Sequence, residues 1–238
     1  MKKSILKQGF TLVELLVVIA IIALLASALF PAITGAMNQA RATTLKNKGR
    51  GIWTAILSAN MEREPLNLDS LWPADVCSNE NAAVTVDKSA NAYFTYLLSD
   101  GTEANKGVIE QDTNIRLVSD LTPESFIAQG IAPAKTDGAI EGENCAWHIY
   151  AVDNNSPAEY PLMITKNLEP VNLTFCTDQG AEQRLNLRDG VNPFGKARAV
   201  WVTKGGSVSD ARPKYLTNYQ VAGLASQDGE LTIYPCAE

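Results

Sequence analysis

The chain has 238 residues and a formal net charge of −6, unevenly placed: residues 1–50 hold seven Lys or Arg against the single acid Glu14, which leaves the remainder at −12. So acidic a remainder excludes a nucleic-acid binder, because neutralising phosphates needs a basic face. Beyond residue 50 the chain is long enough for one globular domain of ordinary size.

Met1 to Gly9, MKKSILKQG, is a polar leader with three lysines. It runs into FTLVELLVVIAIIALLASALFPA, where Thr11, Glu14 and Ser27 are the only polar residues. At about 1.5 Å per helical residue, some 20 residues cross the ~30 Å of bilayer hydrocarbon, so this run can span a membrane. Lys2, Lys3 and Lys7 favour a cytoplasmic N-terminus, although Arg41, Lys46, Lys48 and Arg50 on the far side weaken the asymmetry. Ala26-Ser27-Ala28 offers a signal-peptide cleavage site, whereas an h-region is shorter and uncharged. On the residues alone, a cleaved signal and a single-span anchor both stand. Glu14 is the anomaly, since a charge at mid-bilayer costs about 2.5–3.5 kcal/mol and somewhat less toward the edge, where the carboxylate can snorkel.

The stretch GFTLVELLVVIAIIALLASALFPAI resembles the N-terminal cleavage and methylation segment of bacterial type IV pilins and type II secretion pseudopilins. The resemblance implies cleavage by a prepilin peptidase between Gly9 and Phe10, N-methylation of Phe10, and an assembly role for Glu14. In that role its carboxylate pairs with the Phe10 amine of a neighbouring subunit. Pro31 falls where members of this family kink the helix. Also implied are an α+β, pilin-like fold, co-polymerisation with other pilin-like subunits, and an inner-membrane assembly platform. The chain then sits in the inner membrane with a single pass and its globular domain in the periplasm. The segments follow as a leader over 1–9, a transmembrane and polymerisation helix over 10–33, a helical continuation over 34–64 and a globular domain over 65–238.

Pro31 lacks an N–H and clashes with the carbonyl of Ser27, which predicts a kink that need not end the helix. The helical pattern resumes to Arg63 with a thin stripe of Ala36, Ala40, Thr43, Ile52, Ile56 and Ala59, and Glu64-Pro65 stops it. Ile52, Trp53, Ile56 and Leu57 are the residues expected against a sheet, while Gly49 and Gly51 are weak points. Short helices are expected over Ala90–Leu98 and from Thr122 to Gly130, the second on its Thr-Pro-Glu start. Strands are expected over Ala146–Val152, Leu162–Lys166 and Ala199–Thr203. Gly205-Gly206 turns the last of these back through Ser207–Ser209, and a second hairpin joins Tyr219–Leu224 to Glu230–Tyr234. Trp72, Trp147 and Trp201 read as core or sheet-face residues.

Cys77, Cys145, Cys176 and Cys236 all follow the apolar run, and an exported domain with an even count favours two disulfides. Cys176 to Cys236 is the preferred bridge among three possible pairings. Their wide spacing and the single histidine, His148, argue against zinc. His148 lies in an alternating strand pattern with no marked partner. Asp153-Asn154-Asn155 and Asp178-Gln179-Gly180 could offer oxygens to calcium but lack the alternation of a calcium loop and read as turns, so no cofactor is expected. No catalytic motif is present, which points away from an enzyme. Two functions remain: a filament subunit, and a membrane-tethered extracytoplasmic binding module that does not polymerise.

Overall fold

A computed structural model describes residues 11–77, 86–99, 118, 120–128, 140, 142, 144–175, 182–223 and 229–236. The first element is a single helix, α1, over Leu12–Arg63, with Pro31 inside it. Two hydroxyls near that proline turn back onto the helix: Ser27 Oγ donates to the Leu24 carbonyl (2.8 Å) and Thr34 Oγ1 to that of Pro31 (2.9 Å). Such back-bonding satisfies groups that hydrocarbon would leave unpaired.

The chain divides into two compact units, Met1–Ala40 and Arg41–Glu238. Within the second, α1 buries Ala42, Leu45, Gly49, Ile52, Ile56 and Ala59. This differs from the expected stripe in its first half, where Ala36, Ala40 and Thr43 are exposed. Gly49 sets the phase: a Cβ there would lie 2.6 Å from Val202 Cγ2 and 3.1 Å from the Trp147 ring, so the helix approaches the sheet most closely where it has no side chain. Trp53 and Leu57 pack half-buried on the same core. After Arg63 come a 3₁₀ turn over Glu64–Leu66 and two helices, α2 (Pro73–Cys77) and α3 (Ala90–Leu98). Ser89 caps α3, its side chain accepting from the Ala92 N–H.

The strands are β1 (Trp147–Tyr150), β2 (Pro161–Thr165), β3 (Leu173–Thr174), β4 (Ala199–Thr203), β5 (Val208–Ala211), β6 (Glu230–Leu231) and β7 (Ile233–Tyr234). Five form one antiparallel sheet in the order β5-β4-β2-β1-β7, and β3 pairs with β6. The layout is α+β and fits a pilin-like fold. Strands β1 and β2 are buried along their whole length, which explains why WHIY and PLMIT carry so few polar side chains. Gly206 turns β4 into β5 at φ 81, with the Trp53 ring 2.7 Å from where its Cβ would stand. Both conformation and space demand glycine there.

Two expected elements differ. Residues 219–223 form no strand, and Leu224 lies outside the described residues; Asn218–Ala222 forms a further helix, α4, because the Thr217 side chain accepts from the Gln220 N–H and Gly223 closes the end. Residues 230–234 therefore split between β3 and β1 instead of forming a hairpin. The helix expected from Thr122 is a 3₁₀ turn over Pro123–Phe126, after which Ile127 bridges Cys145 in extended conformation. Stacking of Phe126 on Phe94, centroids 4.4 Å apart, holds the chain there. Gly130 lies outside the described residues.

Two lysines fasten the part of α1 that belongs to the second unit. Lys48 Nζ donates to the carbonyls of Glu124 (2.6 Å) and Ile127 (2.7 Å). Lys46 pairs with Asp210, whose other oxygen takes Arg198 (2.7 Å).

Candidate functional site

α1 opens on Thr11-Leu12-Val13-Glu14, and its two polar residues answer each other's backbone. The Thr11 N–H donates to Glu14 Oε2 (2.9 Å), the Glu14 N–H donates to Thr11 Oγ1 (3.3 Å), and the Thr11 hydroxyl donates to the same carboxylate oxygen (2.7 Å). This is a capping box, which occupies N–H groups that the first helical turn leaves without partners and sets a negative charge at the positive helix end. The T-x-x-E spacing that signals it stands in the sequence, where the anomaly of a charge in an apolar run masks it. Gly9 and Phe10 lie outside the described residues. Residues 11–37 are all exposed, and the 18-residue stretch of highest hydropathy averages 2.9, apolar and long enough to cross a membrane. Such a surface needs an apolar medium or other chains to cover it.

The second unit carries a cleft of about 1080 Å³ between α1 and the sheet, lined by Trp53, Asn60, Trp72, Asp75, Asp153 and Lys204 among others. Asp153-Asn154-Asn155 forms one wall as a turn, with Asp153 Oδ1 accepting from the Asn155 N–H (3.0 Å) and the Ser156 hydroxyl (2.6 Å). These bonds hold the Asp153 carboxyl below its ordinary range. Asp75 is pushed the other way by burial, although Ser70 and the Asn154 N–H bond to it. Lys204 Nζ donates to the carbonyls of Asn154 (2.7 Å) and Ser156 (2.6 Å) and lies over the Trp72 ring at 5.6 Å. Burial lowers its affinity for the proton, and Asp153 and Asp75 oppose that effect. Lys204→Met should release both carbonyls at a cost of about 1 kcal/mol. Faster amide exchange at Asn154 and Asn155, with a melting temperature lower by a few degrees, is the expected result. Unchanged exchange would rule out the lysine as the loop's anchor.

His148, which the strand pattern reads as structural, is fully buried within β1. Its Nδ1 accepts from the Cys236 N–H (2.8 Å), and Nε2 faces the Leu168 carbonyl (3.3 Å), which assigns the proton to Nε2. Burial, followed by the nearby Arg188, lowers its pKa to about 4, so the ring is neutral and structural. Cys77, Cys145 and Cys236 are buried free thiols. Burial raises the pKa of Cys77 to about 12. Cys236 lies beside Cys145, and the two side chains interact; the expected bridge from Cys236 to Cys176 involves a residue outside the described ones. Strand pairing between β1 and β7 makes that neighbourhood, and sequence spacing does not reveal it. Cys176 and Asp178-Gln179-Gly180 lie outside the described residues. Among the described residues, no group of three or more His, Cys, Asp or Glu side chains could hold a metal ion.

Neither a curated protein nor a solved structure shows significant similarity to the chain. The family model for the prokaryotic N-terminal methylation motif matches residues 6–30. That span holds the Gly9-Phe10 junction, the Thr11-Glu14 box and the exposed apolar half of α1. Residues 6–30 are therefore a prepilin-type methylation segment, the mark of a pilin- or pseudopilin-type precursor.

Proposed function

We propose that this protein is a structural subunit that assembles through its N-terminal helix into a periplasm-spanning or surface filament serving protein secretion or adhesion. The observation that carries this reading is a methylation segment at residues 6–30 running without a break into a helix that reaches Arg63. The uncovered apolar half provides what parallel helices need to pack in a filament core, and the second half is fastened by Gly49, Lys46 and Lys48 to the sheet-bearing unit. In this reading a prepilin peptidase cuts after Gly9, Phe10 is N-methylated, an inner-membrane platform adds the subunit to other pilin-like subunits, and the second unit lies in the periplasm.

The cleft beside Trp53 and Lys204 supports a second reading, a membrane-tethered module that binds a ligand without polymerising. Processing separates the two. A larger side chain at position 9 crowds the scissile peptide, so Gly9→Val should accumulate in membranes nine residues heavier than the mature chain and vanish from the sheared, sedimentable fraction. Normal-sized product from that variant would overturn cleavage at this junction. A correctly cut protein that stays monomeric in membranes would favour the tethered module.

A further inference from the structure

We propose that Cys145 and Cys236 oxidise to a single disulfide that ties the edge strand β7 to the start of β1. Strand pairing brings both cysteines to the start of β1. β1 and β7 pair Ile149 with Tyr234 and Tyr150 with Ile233, and Cys145, just before β1, bridges Ile127. Past β7 the chain leaves the ladder and is fixed beside β1 by the Cys236 N–H on His148 Nδ1 (2.8 Å) and by the Pro235 carbonyl, which accepts from the Ala90 N–H (3.0 Å). The sulfur contacts bracket one short segment that contains Cys145: Cys145 Sγ meets the Trp147 carbonyl (3.3 Å) and Cys236 Sγ the Gly142 carbonyl (3.4 Å). The two side chains interact directly.

Cys236 follows the last strand, so it is the thiol that meets an oxidant before the unit closes, and Cys145 is the resolving one. The oxidant is the disulfide of an extracytoplasmic thiol–disulfide oxidoreductase. The Cys236 thiolate attacks one of its sulfurs, forming a mixed disulfide and expelling a thiolate, which takes up the proton that Cys236 gave up. Cys145 then loses its proton and attacks Cys236 Sγ, breaking the mixed bond and releasing the second oxidoreductase thiol. Two protein thiols become one disulfide, and the oxidoreductase leaves as a dithiol. Because both sulfurs are buried once the strands have paired, the exchange begins while β7 is undocked and closes as Cys236 reaches Cys145.

The presence of the bond in cells rests on the export of the second unit proposed above; the pairing itself does not. Full-length protein in detergent should be refolded from the reduced state in a mixture of reduced and oxidised glutathione, alkylated, and digested without reduction. A peptide linking Cys145 to Cys236 is the expected product. Free thiols at both positions, or Cys236 linked to Cys176, overturn the proposal. Reduction of the linked protein should lower its melting temperature by on the order of 10 °C, since the bond closes a loop of about 90 residues. The Cys145→Ser, Cys236→Ser double variant should melt at the same temperature with and without reductant. No response of the unsubstituted protein to reductant overturns a structural disulfide even if the double variant fails to fold. In cells, linkage with the second unit outside the cytoplasm supports the proposal, and free thiols with the unit outside overturn it. Thiols that are free in cells with the unit inside, but that link on refolding, support the pairing and overturn export.

Discussion

Glu14→Gln should enter membranes as well as the unsubstituted protein and fail to polymerise. The capping box makes this substitution a clean one. Glutamine serves in the same position, its amide oxygen accepting from the Thr11 N–H that now meets the carboxylate, so the helix start is retained while the charge is lost. If the carboxylate pairs with the amine of a processed neighbour, an ammonium is left alone at the subunit contact. Losing one member of a buried pair costs about 3–5 kcal/mol, or roughly a hundred- to several-thousand-fold in the affinity of each added subunit. Glu14→Ala removes both the charge and the cap, so it should fail in assembly and also fray the first turn. A role confined to the cap predicts the opposite ordering, with normal filaments from Gln and impaired ones from Ala. Immunoblots of the membrane and sheared fractions for the two variants decide between them, and filaments of normal number from Gln would end the charge-pairing account.

Substituting the two neighbouring helical glycines with alanine should move stability in opposite directions. At Gly49 the new methyl would meet Val202 at 2.6 Å and the Trp147 ring at 3.1 Å, and neither is the end of a flexible chain. Overpacking of this kind costs about 1–3 kcal/mol, which outweighs the ~1 kcal/mol that alanine gains over glycine in a helix. Gly51 is exposed with nothing within 4 Å of its Cβ position, so Gly51→Ala keeps the whole helical gain and should raise the melting temperature by a few degrees. Thermal denaturation of the two variants in the same detergent is the test. If Gly49→Ala matches or exceeds Gly51→Ala in stability, the helix does not lie on Trp147 and Val202.

The sequence is most readable where local chemistry and tertiary demand coincide. Ala90–Leu98 and Ala199–Thr203 fold over the expected bounds because a serine cap starts one and a Gly-Gly turn ends the other. Ile52 and Ile56 are buried as their bulk suggests. The failures are of two kinds. Some signals were present but outweighed: Thr217 and Gly223 frame α4, yet the apolar residues between them read equally as a strand. Other features have no local signal at all. The phase of α1 over Ala42, Leu45 and Gly49 is set by a ring and a methyl group from strands about 100 and 150 residues away. The meeting of Cys145 with Cys236 is likewise written only in the pairing of β1 with β7. As for the candidate site, the Gly9-Phe10-Glu14 spacing was legible throughout, because the function of that segment depends on recognition of a short linear stretch and not on a folded surface.

Lys204 spans the carbonyls of Asn154 and Ser156 with a charge that the chain itself supplies. A free counter-ion at such a turn comes and goes with the composition of the surrounding fluid, and any chelator or change of compartment alters its occupancy. An ammonium on a covalent tether has a fixed local concentration, so the order it gives the loop travels with the protein. On the function proposed above, a subunit that is made in one compartment, stored in a membrane and used in another would keep the same cleft wall at every stage, whatever ions it meets on the way.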